Sequence, residues 1–358
     1  MRYFLILFIL SIPVNLSSMD SAILAQVIRG DTVESIHRGH FMVLDGDGNT
    51  VAQAGDPETV TFYRSSCKFL QAIPLITSGA ADAFGFDEEE IALACASHSG
   101  QKRHVEVAAS MLAKIGLDET ALHCGTHLPF YRPAANELIR EGKNPSTLHN
   151  NCSGKHSGML AVARKIGADI ATYEHLENPV QQQILGIIAK FTEIPLDEIA
   201  VGSDGCCVPN FAVPVRAMAK SFVNLVSRAD SFGREISDAA HRIITASLNH
   251  PELIGGTDRL DTQIMQAAPG KLLSKVGADG VWLGGVLPSD RWPSGLGIAV
   301  KIEDGDDNRG RPVVVVEILR QLGVLVRNDL PEISPMPVKN RRGDVVGAVK
   351  PLVKFGAS

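Results

Sequence analysis

Blocks of lysine and arginine are missing from the 358-residue chain, and basic residues nowhere interleave with aromatics. With a formal charge of −6 and a pI of about 6.0, this balance argues against nucleic acid as a partner. Cysteine is sparse. Six residues (Cys67, Cys95, Cys124, Cys152, Cys206 and Cys207) are scattered over a long chain, which excludes a small disulfide scaffold. Several stand beside Gly, Ser or Asp, a setting for reduced thiols or metal ligands, so a cytoplasmic location is the simpler expectation. An apolar run long enough to span a bilayer is also lacking, because the opening "MRYFLILFILSIPV" is too short and carries one basic residue. It has signal-peptide length, but "NLSSMDSA" after it offers no A-x-A cleavage site. Residues 1–18 are therefore either an export signal or a mis-assigned start ahead of Met19, and they are set aside.

Low complexity, internal repeats and polar linkers are absent too, so residues 19–358 are expected to form one catalytic domain with two lobes. Short Val- and Ile-rich runs open the chain, and "DGDGN" (Asp45–Asn49) separates two of them as a hairpin turn. The same stretch resembles the start of a calcium loop, but the Glu required at the twelfth position is missing. The spacing of Phe69, Leu70, Ile73 and Leu75 predicts a buried helix over 65–79, bent at Pro74. Helical patterns fill the middle of the chain, and strand patterns return in "KLLSKVGADGVWLGGVL" and "LGIAVKIEDG" before a helix in "PVVVVEILRQLG". Strands at both ends and helices between imply an α+β fold in which the chain ends share one sheet beside a helical lobe.

The stretch "HNNCSGKHSGML" (His149–Leu160) has the look of a phosphate loop. That motif requires Gly where His149 stands and Ser or Thr where His156 stands, so two of its four fixed positions fail. Elsewhere "RSSCKFLQ" places Ser65 and Lys68 at i and i+3, one turn apart on a helix face. A lysine so placed can accept the serine proton if burial or a second cation lowers its pKa. Taken alone, the pair reads rather as a helix N-cap serine followed by a solvated lysine. Two further elements accompany it: "SHSG" at Ser97–Gly100, and a K-x-G at Lys275–Gly277 in what reads as an edge strand. S-x-x-K hydrolases carry three such elements in this order. Val276 replaces the usual hydroxyl residue of the third, which puts β-lactam chemistry in doubt.

The stretches "RSSCKFLQAIPL", "ACASHSG", "NNCSGKHSGML", "GSDGCCVPNFAVPV", "HPELIGG", "SKVGADGV" and "KIEDGDDNRGRP" together resemble the asparaginase II family, the rhizobial or class 3 type of L-asparaginase. The resemblance runs from about Ala25 to Gly347. It implies a fold like that of serine β-lactamases and penicillin-binding proteins, and two Ser-Lys pairs, Ser65 with Lys68 and Ser97 with Lys275. It also implies a zinc ion held by Cys152, Lys155 and Cys206, substrate contacts from Asp204 and His156, and a homodimer. Cys207 stands where a glycine is commoner. Cys152 and Cys206 taken alone read as buried thiols. His98 reads either as orienting the Ser97 region or as a structural hydrogen-bonding residue. His123 and His127 bracket Cys124, as a metal site or as loop packing.

The expected activity is hydrolysis of the L-asparagine side-chain amide, with Ser65 as nucleophile and Lys68 as its base. The Ser97–Lys275 pair would relay protons, Asp204 would receive the substrate ammonium, and zinc would order the cleft rather than act as Lewis acid. Two rivals stand beside this reading. One is another S-x-x-K hydrolase, a glutaminase or β-lactam-recognising enzyme; the other is a zinc-binding homologue without activity.

Overall fold

A computed structural model describes residues 21–355; the apolar opening segment lies outside them. Eleven strands are present: β1 (Ala22–Arg29), β2 (Thr32–Asp45), β3 (Thr50–Ala54), β4 (Val60–Phe62), β5 (Ala200–Ser203), β6 (Pro209–Pro214), β7 (Leu272–Gly277), β8 (Val281–Val286), β9 (Leu296–Ile302), β10 (Met336–Lys339) and β11 (Val345–Pro351). The main sheet runs β10-β11-β1-β2-β9-β8-β7 with β3 also on β2, and every pairing is antiparallel. The two ends of the chain thus meet in one sheet and the fold is α+β, as the sequence pattern implied. A three-stranded sheet, β4-β6-β5, was not foreseen, and neither were β10 and β11.

The fourteen-residue β2 is the spine. Its first half pairs with β1, while Phe41–Leu44 pair with β3 on one edge and β9 on the other. The turn at Asp45–Asn49 joins β2 to β3 as predicted, with the Asp45 carboxylate accepting the backbone N–H groups of Asp47 and Asn49. Alternate residues serve opposite faces, as strand geometry requires. Met42 and Leu44 join the core of the helical lobe, whereas Phe41 and Val43 join a second core under the helix Gly310–Gln321.

The face toward the helical lobe carries small residues where a helix must come close. The helix Val215–Ser227 lies against β2, β8 and β9, and a Cβ added to Gly297 would lie 1.9 Å from the Ala219 carbonyl oxygen and 2.6 Å from the Val223 nitrogen. Both atoms are backbone, so neither can rotate away. The predicted helix over 65–79 is instead broken into a 3₁₀ turn at Arg64–Cys67, a single α turn at Lys68–Gln71 and a short helix at Ile73–Thr77 with Pro74 as its second residue. No helix among the described residues is long and apolar enough to cross a membrane.

Gly297→Ala should destabilise the fold by about 3 kcal/mol, the upper end of the overpacking range. Urea unfolding of the variant checks this; a midpoint within error of the parent would mean that helix and sheet are not tightly apposed.

Candidate active site

The 3₁₀ turn that carries Ser65 is held open in an unusual conformation. Arg64 has φ +51°, a left-handed value that costs a non-glycine residue about 1–3 kcal/mol. Three contacts hold it there: its N–H donates to Asn210 Oδ1 (3.0 Å), its Nε to Asp204 Oδ1 (2.8 Å), and its Nη1 pairs with Asp279. Ser65 is left half-buried on the wall of a cavity of about 500 Å³, which Ser97, Asn151, Arg259 and Gly277 also line.

Ser97 reaches the same cavity from the loop after the helix Glu88–Ala94, whose start is fixed by a capping box between Asp87 and Glu90. Its N–H donates to the Ile254 carbonyl (2.9 Å), and its hydroxyl accepts from Lys275 Nζ (2.9 Å). Lys275 lies on β7, which is an edge strand as expected. Residues 260–267 form a helix beside that edge, and its Asp261, which the sequence reading did not single out, closes it. The Asp261 carboxylate accepts the Val276 N–H (2.9 Å), the Ser274 hydroxyl (2.9 Å) and Lys275 Nζ (3.3 Å). An edge N–H that would otherwise be open is thereby paired. Burial pulls the Lys275 pKa down to about 8; Asp261 opposes this, while the charges of Lys68 and Arg259 add to it. A lysine near pH 8 can exchange a proton under physiological conditions.

Lys68 is bonded elsewhere than to Ser65. It is fully buried, and its ammonium donates to the carbonyls of Ala96 (2.5 Å) and Asn151 (3.4 Å) and to Cys152 Sγ (3.1 Å). Among the described residues Ser65 is not one of its hydrogen-bond partners. The i, i+3 spacing places Lys68 one turn from Ser65 in the chain, but its amine is bonded to segments after the helix Glu88–Ala94 and at Asn151–Cys152. His98 is buried, with Nε2 on Ser153 Oγ (2.9 Å) and its ring stacked on His104. Burial, then His104 and Lys68, drive its pKa well below the ordinary imidazole value. It stays neutral and pins the Ser97 loop.

Cys152, Lys155 and Cys206 do converge. Lys155 Nζ lies 3.0 Å from Cys206 Sγ, which is itself 3.5 Å from Asp204 Oδ2. The neighbouring Cys152 thiol, with the charge of Lys155, lowers the Cys206 pKa, whereas Cys206 and burial raise that of Cys152. Burial disfavours the Lys155 ammonium, yet Cys206, Cys152 and Asp204 outweigh it and hold the proton on. Two sulfurs and an amine fit a zinc ion in donor chemistry, provided Lys155 gives up that proton. Asp204 and His156 are not among the residues lining the cavity. Asp204 holds Arg64, and burial pushes its pKa up less than Lys155 and Arg64 push it down. His156 is fully buried with Nδ1 on the Tyr173 hydroxyl (2.6 Å), and its pKa falls to about 3 through burial and Lys155. Cys207 has φ +75°, which is why glycine suits that position. His123 pairs with Glu174 (2.7 Å) and His127 accepts the Asn151 N–H (3.0 Å). With Cys124 they pack the loop rather than converge, and among the described residues no three His, Cys, Asp or Glu side chains are grouped to hold a metal.

Two serines on one cavity, one of them bonded to a lysine that can trade its proton, are the equipment of a hydrolase. The family model for L-asparaginase II matches residues 25–351, nearly the whole chain, and the protein belongs to that family. Among solved structures it is similar to a probable glutaminase from Bacillus subtilis complexed with 6-diazo-5-oxo-L-norleucine, at 16% identity over 80% of this chain and 85% of that one, with a TM-score of 0.38. It is also similar to a mutant class A β-lactamase of the last common ancestor of Gram-negative bacteria, at 16% identity over 80% of this chain and 92% of that one, with a TM-score of 0.39. No curated protein matches it.

Asp261 raises the Lys275 pKa, so Asp261→Asn should lower it and leave more neutral lysine at any given pH. The acidic limb of kcat/KM for amide hydrolysis should move to lower pH in a variant that melts like the parent. A limb that stays put, or moves up, would mean that another group controls it.

Proposed function

We propose that the protein hydrolyses the side-chain amide of L-asparagine to L-aspartate and ammonia through an acyl-enzyme. Membership of the L-asparaginase II family supports the substrate, and the Lys275–Ser97 bond beside Ser65 supports the chemistry. Ser65 Oγ attacks the amide carbon, and its own N–H, an orphan donor in the first turn of its 3₁₀ helix, steadies the oxyanion. The lost proton passes to Lys275 by way of the Ser97 hydroxyl, and the same pair protonates the departing ammonia. Water then attacks the ester, again giving its proton to Ser97–Lys275, and aspartate leaves with Ser65 restored. The charge of Lys68 helps keep Lys275 ready to lose its proton. Asp204 contributes by fixing Arg64, and with it the Ser65 turn.

Cys152, Lys155 and Cys206 would hold zinc, which when bound supplies positive charge in place of the Lys155 proton. The cytoplasm is the compartment this reading assigns, since none of its buried thiols is paired in a disulfide. A second copy of the chain is its implied partner, and sedimentation velocity measures that association.

Ammonia release from L-asparagine by protein starting at Met19 tests the reading directly. Ser65→Ala should fall by at least about 10³-fold; substantial residual activity would move the nucleophile elsewhere, with Ser97 next in line. Glutamine turned over faster than asparagine would instead make the protein a glutaminase. For the metal, calorimetry should show zinc binding to the parent with proton release and none to Cys206→Ala. Equal binding by both would place any zinc outside these three residues.

A further inference from the structure

The cavity wall contains two arginines, and they are treated very differently. Arg311 pairs with Asp307 and donates to the Gly277 carbonyl (2.7 Å), so its charge and donors are spent on the protein. Arg259 is partly buried, and among the described residues its guanidinium forms no ion pair and no hydrogen bond. Its position is nonetheless defined. It is the N-cap residue of the helix that carries Asp261, its N–H donates to the Gly256 carbonyl, and its guanidinium lies 5.2 Å from the centre of the Phe130 ring. Stacking on an aromatic face holds a guanidinium in place while leaving its five N–H donors free. Burial lowers its pKa, with Asp261 and Asp307 opposing; a guanidinium keeps its charge regardless.

A half-buried cation held without a protein partner on the wall of this cavity is placed to receive an anion. The amide carbon of asparagine must sit at Ser65, so the anion within reach of the same cavity is the carboxylate at the other end of this short substrate. We propose that Arg259 is the specificity residue that receives the α-carboxylate of the amino-acid amide, through paired N–H···O bonds. The proposal rests on the amidase reading above and adds to it the group that makes a free amino acid, rather than any primary amide, the preferred substrate.

The test compares L-asparagine with its α-carboxamide analogue, aspartic acid diamide, which keeps the side-chain amide but lacks the negative charge. The parent should prefer asparagine. In Arg259→Ala, kcat/KM for asparagine should fall about 10–100-fold, mostly through KM, with little change on the diamide, so that the preference collapses. Arg259→Lys should recover part of the preference, and added guanidinium ion should restore part of the alanine variant's rate on asparagine alone. A merely structural arginine would lower both rates together. A preference that survives in folded Arg259→Ala overturns the assignment; if that variant does not fold, Arg259→Lys and Arg259→Gln answer the same question. A parent protein that hydrolyses neither compound would refute the asparagine reading itself, a result separate from loss of the carboxylate assignment.

Discussion

Three lysines are buried near this cavity without lining it, and much of the surrounding polar structure serves to satisfy them. Lys68, Lys155 and Lys275 are each at most 3% exposed. A buried ammonium is costly unless it is paired or gives up its proton, and the protein answers each case separately. Lys68 is given two carbonyls and a sulfur. Lys155 is given Cys206, with Asp204 and Cys152 nearby. Lys275 receives a carboxylate, a hydroxyl and the Val276 carbonyl, and it is the lysine whose pKa burial pulls down to about 8.

The division of labour also orders the serines. Ser97 is fixed by the Ile254 carbonyl, by Lys275 and by the neutral His98 beside it, so it cannot move far. Ser65 has more freedom, being half-buried on a turn whose strain is stored one residue earlier at Arg64. A held serine suits proton transfer and an accessible one suits attack. Asp261 links the two tasks of edge closure and lysine support, because one carboxylate pairs an open strand N–H and tempers the neighbouring amine.

Local patterns carried much of this. The hairpin at Asp45–Asn49, the edge position of the Lys275 strand and the mid-chain helices depend on period and turn chemistry, which neighbouring residues determine. The direction of the Lys68 amine does not. Spacing put it within a turn of Ser65, but the Ala96 and Asn151 carbonyls that capture it come from segments some 30 and 80 residues away. Asp261 and Arg259 sat unremarked in "GGTDRLDT" for the same reason. An acid and a base beside a helix start read as capping or solvated charge until β7 and Phe130 are seen to lie against them. The small sheet of β4, β5 and β6 joins residues far apart in the chain, and nothing local announces such a pairing.

The placement of β1 between β2 and β11 has a consequence for synthesis. β1 is made long before its partner from Ala25 to Arg29, the strand residues Gly347 to Pro351. Until that strand is made, one edge of β1 has only solvent or other chains to pair with, and contacts of such long range close slowly. Ser65 and Ser97 are likewise made well before Lys275. The nascent chain therefore carries its cavity serines before Lys275, and the hydrogen bond that joins Ser97 to that lysine arrives only once β7 is in place.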